Sequence, residues 1–170
     1  LAEHADGVPD ALAERLADLG RPVIRFDYLG TGDSSRDMTQ VRLSDWLGNI
    51  SDAITCLQGY GVAHFDLVGI RLGALLAAHF CQIADKEQQP NRLVLWDPVR
   101  SGLGFLRNFD QTNISHIAKG NRYKSYRYMK KARIRNSLLG YEMSLSLLGD
   151  LRSLDWPERL DMPVVGVNSA

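Results

Sequence analysis

The residues whose types and spacing bear most directly on chemistry are Gly69-Ile70-Arg71-Leu72-Gly73. An apolar run, Phe65–Ile70, leads into them, and a helical pattern marked by Leu72, Leu75, Leu76 and Phe80 follows at once. Strand, glycine-flanked bend and helix make the G-x-S-x-G arrangement, which projects a nucleophile from a tight turn; here Arg71 stands at its centre. Such a turn holds its central residue in a strained conformation. Glycine at 69 and 73 is expected to let strand and helix approach without Cβ clashes. A guanidinium keeps its proton near neutral pH and has no nucleophilic lone pair, so Arg71 cannot begin acyl transfer as serine does. It can hold a carboxylate or phosphate through paired N–H donors, beside a helix N-terminus that already favours anions. A cation there opposes the helix dipole by roughly 0.3–1 kcal/mol unless an acid lies near. Three readings follow: anion recognition, an ion pair with Asp97 or Asp27 that locks the site, or an unusual catalytic role.

Asp97 closes the run Arg92–Asp97 and falls where open parallel sheets collect their active sites, at strand carboxyl ends. It reads either as a catalytic acid or as a carboxylate bonding loop N–H groups or Arg71. Asp27 also ends an apolar run, Pro22–Asp27, and is read as a turn organiser together with Gly30 and Gly32. Gly30-x-Gly32 lacks the third glycine of a dinucleotide fingerprint, because Ser35 stands there and no helix opens directly after it. Ser34, Ser35 and Ser101 sit in no elbow and are read as turn or helix-start residues. None of His4, His64, His79 and His116 follows the last apparent strand, so no triad is assembled from this sequence. No metal or cofactor is expected. Cys56 and Cys81 lack ligand or redox spacing and read as two buried thiols.

These residues need elements to position them. Pro22–Asp27, Phe65–Ile70, Arg92–Asp97 and Pro163–Val167 are near-continuous apolar runs, the mark of strands in a parallel sheet covered on both faces. Ala11–Leu19 is an expected helix. Leu43, Trp46, Leu47, Ile50, Ala53, Ile54 and Leu57 give another its apolar stripe, with Ser44 as cap and Asp45 in the first turn. Alternating helix and strand predicts βαβ units with right-handed crossovers. Between Asp97 and Pro163 the alternation breaks, and helical patterns over 104–119, 122–136 and 144–154 suggest an inserted subdomain.

Hydrophobic residues make up 45% and charged residues 24% of 170, which fits an ordinary globular domain rather than a disordered or fibrous chain. The zero net charge conceals an asymmetry: residues 1–60 hold ten acids against five bases, whereas Pro98–Tyr141 hold ten bases against Asp110 alone. The stretch Lys119–Arg135 interleaves eight basic residues with Tyr123, Tyr126 and Tyr128. It reads first as a solvated basic face, and secondly as a funnel for an anionic ligand through Lys119, Arg122, Lys124 and Arg127. Nucleic acid and a membrane surface are the remaining, disfavoured readings. No apolar run approaches the roughly 20 residues of a membrane span, and the N-terminus has no signal-peptide pattern. A cytoplasmic setting is expected; oligomeric state is not legible. The chain opens on Leu1 and closes on VVGVNSA directly after an apparent strand, so both ends read as truncations.

The elbow, together with Arg25-Phe26-Asp27-Tyr28-Leu29-Gly30-Thr31-Gly32-Asp33-Ser34-Ser35, resembles the α/β-hydrolase superfamily, whose strand-end segment is D-x-x-G-x-G-x-S. GIRLGALLA and LVLWDPV are similar to serine-aminopeptidase-like hydrolases, including those accompanying the bacterial exosortase system. The resemblance covers roughly Ala11 to Ala170. It implies a doubly wound, mostly parallel α/β sheet: core over 1–98, helical cap over 99–161, and a return strand over 162–170. It also implies an oxyanion donor at the Leu72 N–H, with a second donor loop before Leu1 and a histidine beyond Ala170. The activity implied is hydrolysis of an ester, amide or acyl substrate. The alternative is a non-catalytic homologue that binds an anionic ligand or a protein partner through Arg71 and a basic cap.

Overall fold

The structure is a computed structural model that describes residues 7–108, 137–138 and 141–168. It is a mixed α/β fold. Strands β1 (Asp66–Ile70), β2 (Arg92–Trp96) and β5 (Val164–Val167) form a parallel sheet in the order β1-β2-β5. Leu67 pairs with Leu93, and Leu93 with Val164, so one register runs across all three strands. A separate antiparallel pair of two-residue strands, β3 (Ser137–Leu138) and β4 (Tyr141–Glu142), was not expected from the sequence.

Helices α1 (Gly7–Asp18), α2 (Leu43–Gly59) and α3 (Leu72–Ile83) follow the sequence expectation closely. Helix α4 runs over 102–108 of the described residues, and α5 spans Leu145–Ser153. Helix α3 explains the two parts of the core. Ala74, Ala77, Ala78 and Cys81 face Leu93 and Leu95 of β2, and their short side chains let the helix lie close to the sheet. Leu75, Leu76 and Phe80 turn the other way, toward Trp46, Ile50 and Ile54 of α2 and Leu147, Leu148 and Leu151 of α5. Each of these large side chains contributes roughly 1.5–3 kcal/mol by leaving water. Ser144 fastens α5 in place. Its hydroxyl accepts from the Leu147 N–H at 2.9 Å and donates to the Val41 carbonyl, while its own N–H reaches the Met38 carbonyl at 3.1 Å.

Four expectations are corrected. Residues 22–27 form no strand. None of the described strands lies beside them, Pro22 withdraws one N–H, and Arg25 pairs with Asp10 of α1 instead. The residue before α2 is Arg42, not Ser44; Asp45 accepts from the Arg42 N–H at 2.8 Å and so closes the first turn. Cys56 is exposed, because it falls off the Trp46–Ile50–Ile54 face, and only Cys81 is buried. Sheet cover is incomplete among the described residues: Val68 and Val165 remain 39% and 45% exposed on one face, and Val164, in register with the buried Leu93, 43% on the other. An apolar run reports the character of both faces of a strand, but cover requires a second layer.

The long connection from β2 to β5 leaves and returns through a narrow neck. The Gly102 N–H donates to the Leu154 carbonyl at 2.8 Å, the Trp156 N–H to the Arg100 carbonyl at 3.1 Å, and Ser101 bridges Asp155. The Arg100 guanidinium stacks over the Trp156 ring at 5.2 Å. Any side chain at 102 would meet the Leu151 carbonyl, so glycine is required there.

Burial pushes the Cys81 thiol up from 9.0 to about 11. Below pH 9 both folded and unfolded chains keep that proton. Between pH 9 and 11 the unfolded chain loses it while the folded chain does not, so stability falls as pH rises through this window. Urea midpoints of wild type and Cys81→Ala should therefore diverge in pH dependence only above about pH 9.

Candidate functional site

The site is built where β1 gives way to α3. Ile70 is the last strand residue and Leu72 the first of the helix, leaving Arg71 alone to turn the chain. It does so at φ 54°, ψ −116°, far from the left-handed helical basin as well as from the usual right-handed one. Backbone bonds hold this conformation. The Arg71 N–H donates to the Trp96 carbonyl at 3.0 Å, while the Arg71 carbonyl accepts from the Ala74 N–H at 3.2 Å and the Val99 N–H at 3.4 Å.

The two flanking glycines, expected to act alike, do not. A Cβ on Gly69 would stand 2.5 Å from the Ala74 Cα and 2.6 Å from the Gly73 carbonyl oxygen, both backbone atoms unable to yield. A Cβ on Gly73 would meet nothing within 4 Å. Gly69 alone permits the close approach; Gly73, in the first turn of α3, has open space beside it.

Asp97 lies one strand over, directly after β2. Its backbone also takes a positive φ, 47°, and its N–H continues the ladder to the Val167 carbonyl at 2.7 Å. Arg71 Nη1 donates to Asp97 Oδ2 at 2.7 Å. Of the two acids considered for Arg71, the structure brings Asp97 to it. The side chains are 57% and 36% exposed, so water screens the attraction. A pair of this kind contributes about 0–1 kcal/mol, whereas each strained backbone costs on the order of 1–3 kcal/mol. The ion pair therefore does not by itself offset the conformations that bring it together.

The Asp27 segment is a separate construction. Asp27 Oδ2 accepts from the Asp33 N–H at 3.3 Å, and a Cβ on Gly32 (φ 51°) would overlap that carboxylate. Gly30, at φ 79°, passes under Val41 and Met38. The loop is tied to α2 by Leu29, whose N–H donates to Asn49 Oδ1 at 2.9 Å and whose carbonyl accepts from Trp46 Nε1 at 3.0 Å. Asn49 was not singled out from the sequence. Its signal was its spacing of three from Trp46, which puts both on one helix face. Burial raises the Tyr28 hydroxyl above its ordinary value, and its ring packs on Trp46 at 5.5 Å.

The remaining candidates do not converge on the elbow. His64 precedes β1, a strand length of roughly 20 Å from Arg71. His79 is two turns into α3, roughly 12 Å along its axis. Ser101 serves α4, accepting from the Gly104 N–H at 3.0 Å. Lys119, Arg122, Lys124 and Arg127 lie outside the described residues, as do His4 and His116. Among the described residues no group of His, Cys, Asp or Glu could hold a metal ion, and no helix is long and apolar enough to cross a membrane.

No family model matches the chain. A solved structure from Agrobacterium vitis S4, provisionally named a hydrolase, is similar with a TM-score of 0.55 at 18% identity, covering 94% of this chain and 71% of that one. At that identity the likeness speaks for the fold: the chain is hydrolase-like in architecture.

Two expected outcomes follow from the site's geometry. Gly69→Ala should lower stability by about 1–3 kcal/mol through overpacking, and Gly73→Ala should be neutral or stabilising, read from denaturant midpoints. Asp97→Asn, whose new side chain tolerates a positive φ, should cost no more than about 1 kcal/mol in the same measurement; a loss of about 3–5 kcal/mol would mark the pair as buried and structural.

Proposed function

We propose that the chain has an α/β-hydrolase-type frame whose elbow binds an anionic ligand and supports no Ser-His-Asp reaction through residue 71. The observation that carries this reading is Arg71 itself: a guanidinium, more than half exposed, at the centre of a strand-to-helix bend with φ 54°. Its fixed charge offers hydrogen-bond donors where the hydrolytic reaction requires an electron pair. The carboxyl ends of β1 and β2, where Arg71 and Asp97 stand, are the edge at which open parallel sheets take their ligands.

The finer parts of the proposal rest on the motifs. They are a helical cap over 99–161 on a core of 1–98 and 162–170, and kinship with bacterial serine-aminopeptidase-like hydrolases in a cytoplasmic setting. Leu72 keeps the N–H that would serve as an oxyanion donor, now beside a cation instead of a nucleophile. The basic run from Lys119 to Arg135 adds positive charge to the same connection between β2 and β5, which favours a negatively charged ligand over a neutral acyl substrate. Docking of a protein partner through Arg71 and the basic segment is the second mode of use.

A fluorophosphonate probe, which reports activated serine hydroxyls, tests the loss of chemistry. The protein should remain unlabelled; covalent labelling at Ser34, Ser35, Ser101 or any other serine, mapped by peptide mass, would overturn the reading.

A further inference from the structure

We infer that the Arg71–Asp97 pair is an exchange site for a small carboxylate, in which the ligand's carboxylate takes the place of Asp97 on the guanidinium; this rests on the reading that residue 71 binds rather than reacts. Three observations converge. Asp97 engages Arg71 through one N–H, Nη1 to Oδ2 at 2.7 Å, although a guanidinium can present paired donors to a carboxylate. By contrast, Arg92 holds Asp66 through both Nε and Nη2, at 3.2 and 2.7 Å, so a two-point grip is available to an arginine elsewhere in this sheet. Both partners of the Arg71 pair are open to water, with side chains 57% and 36% exposed, so an incoming carboxylate can reach the guanidinium and the attraction it must displace is screened.

The ligand class follows from what the guanidinium already holds. Its present partner is a planar, singly charged carboxylate, and an incoming carboxylate reproduces that contact while using donors Asp97 leaves idle. Asp97 remains close by after exchange, tethered through its N–H to Val167. A monoanion meets less repulsion from it than a phosphate dianion does. Helix α3 has no side-chain cap, so its first-turn N–H groups add a favourable field for the same charge.

Amide and guanidinium NMR of the full chain, titrated with propionate and in parallel with inorganic phosphate at matched ionic strength, tests the exchange. Propionate should produce saturable shifts at Arg71 Nε–H and at the Asp97 amide. Asp97→Asn removes the internal competitor and should tighten propionate binding about fivefold. Arg71→Gln should abolish saturation. Native amide dispersion in both variants establishes that they are folded, and asparagine's tolerance of positive φ favours this at 97. Unchanged or weaker propionate binding by Asp97→Asn, or retained saturation in Arg71→Gln, would overturn the exchange. Tighter binding of phosphate than propionate would overturn the carboxylate assignment. A serine labelled by fluorophosphonate would defeat the underlying reading whatever the titration gives, so the two failures are distinguishable.

Discussion

Where β1 meets α3, the backbone of Ala74 lies so close to Gly69 that there is no room for even a methyl group between them. That contact fixes how steeply the chain must turn, and the steepness sets Arg71 at a positive φ. The helix then falls across β1 and β2 on a surface of alanines, while the pairing of Ile70 with Trp96 brings the β2 strand end within hydrogen-bonding range of the bend. Asp97 is placed by the same geometry. The bend and the core thus share one close approach, which the alanine-rich inner face of α3 makes possible.

A second set of contacts holds the long connection between β2 and β5 to this frame. Gly102 passes the Leu151 carbonyl without a side chain, and the two arms of the neck exchange backbone bonds on either side. Ser144 links α5 to the loop that precedes α2 through the Met38 and Val41 carbonyls. Leu147 and Leu151 are then completely buried against α2 and α3. The connection is therefore part of the main core at its C-terminal end and begins within three residues of Val99, which bonds the Arg71 carbonyl.

Much of this architecture was legible in the residues. The 3.6-residue stripe of α2 and the apolar runs of β1, β2 and β5 placed those elements nearly to the residue, because each signal is local and periodic. The elbow was legible because a glycine, a bend and a helix leave a compact signature. Residues 22–27 misled, since β-branched residues record a preference that only a neighbouring strand can fulfil. Cys56 misled because hydrophobic character was considered without its phase on the helix. The likeness of Gly69 and Gly73 concealed their difference, which depends on how two elements cross and not on either sequence position. Asp97 was named among the partners open to Arg71, but choosing it over Asp27 required knowing that β1 and β2 are neighbours. The paired strands at 137–138 and 141–142 are too short to leave a periodic trace.

The three main-chain bonds around residue 71 carry a further implication. They engage its N–H and its carbonyl and make no use of its side chain. The bend is a socket, indifferent to the group it displays. A change of chemical identity at this position therefore need not disturb the architecture around it, because every bond that shapes the bend is made by the main chain.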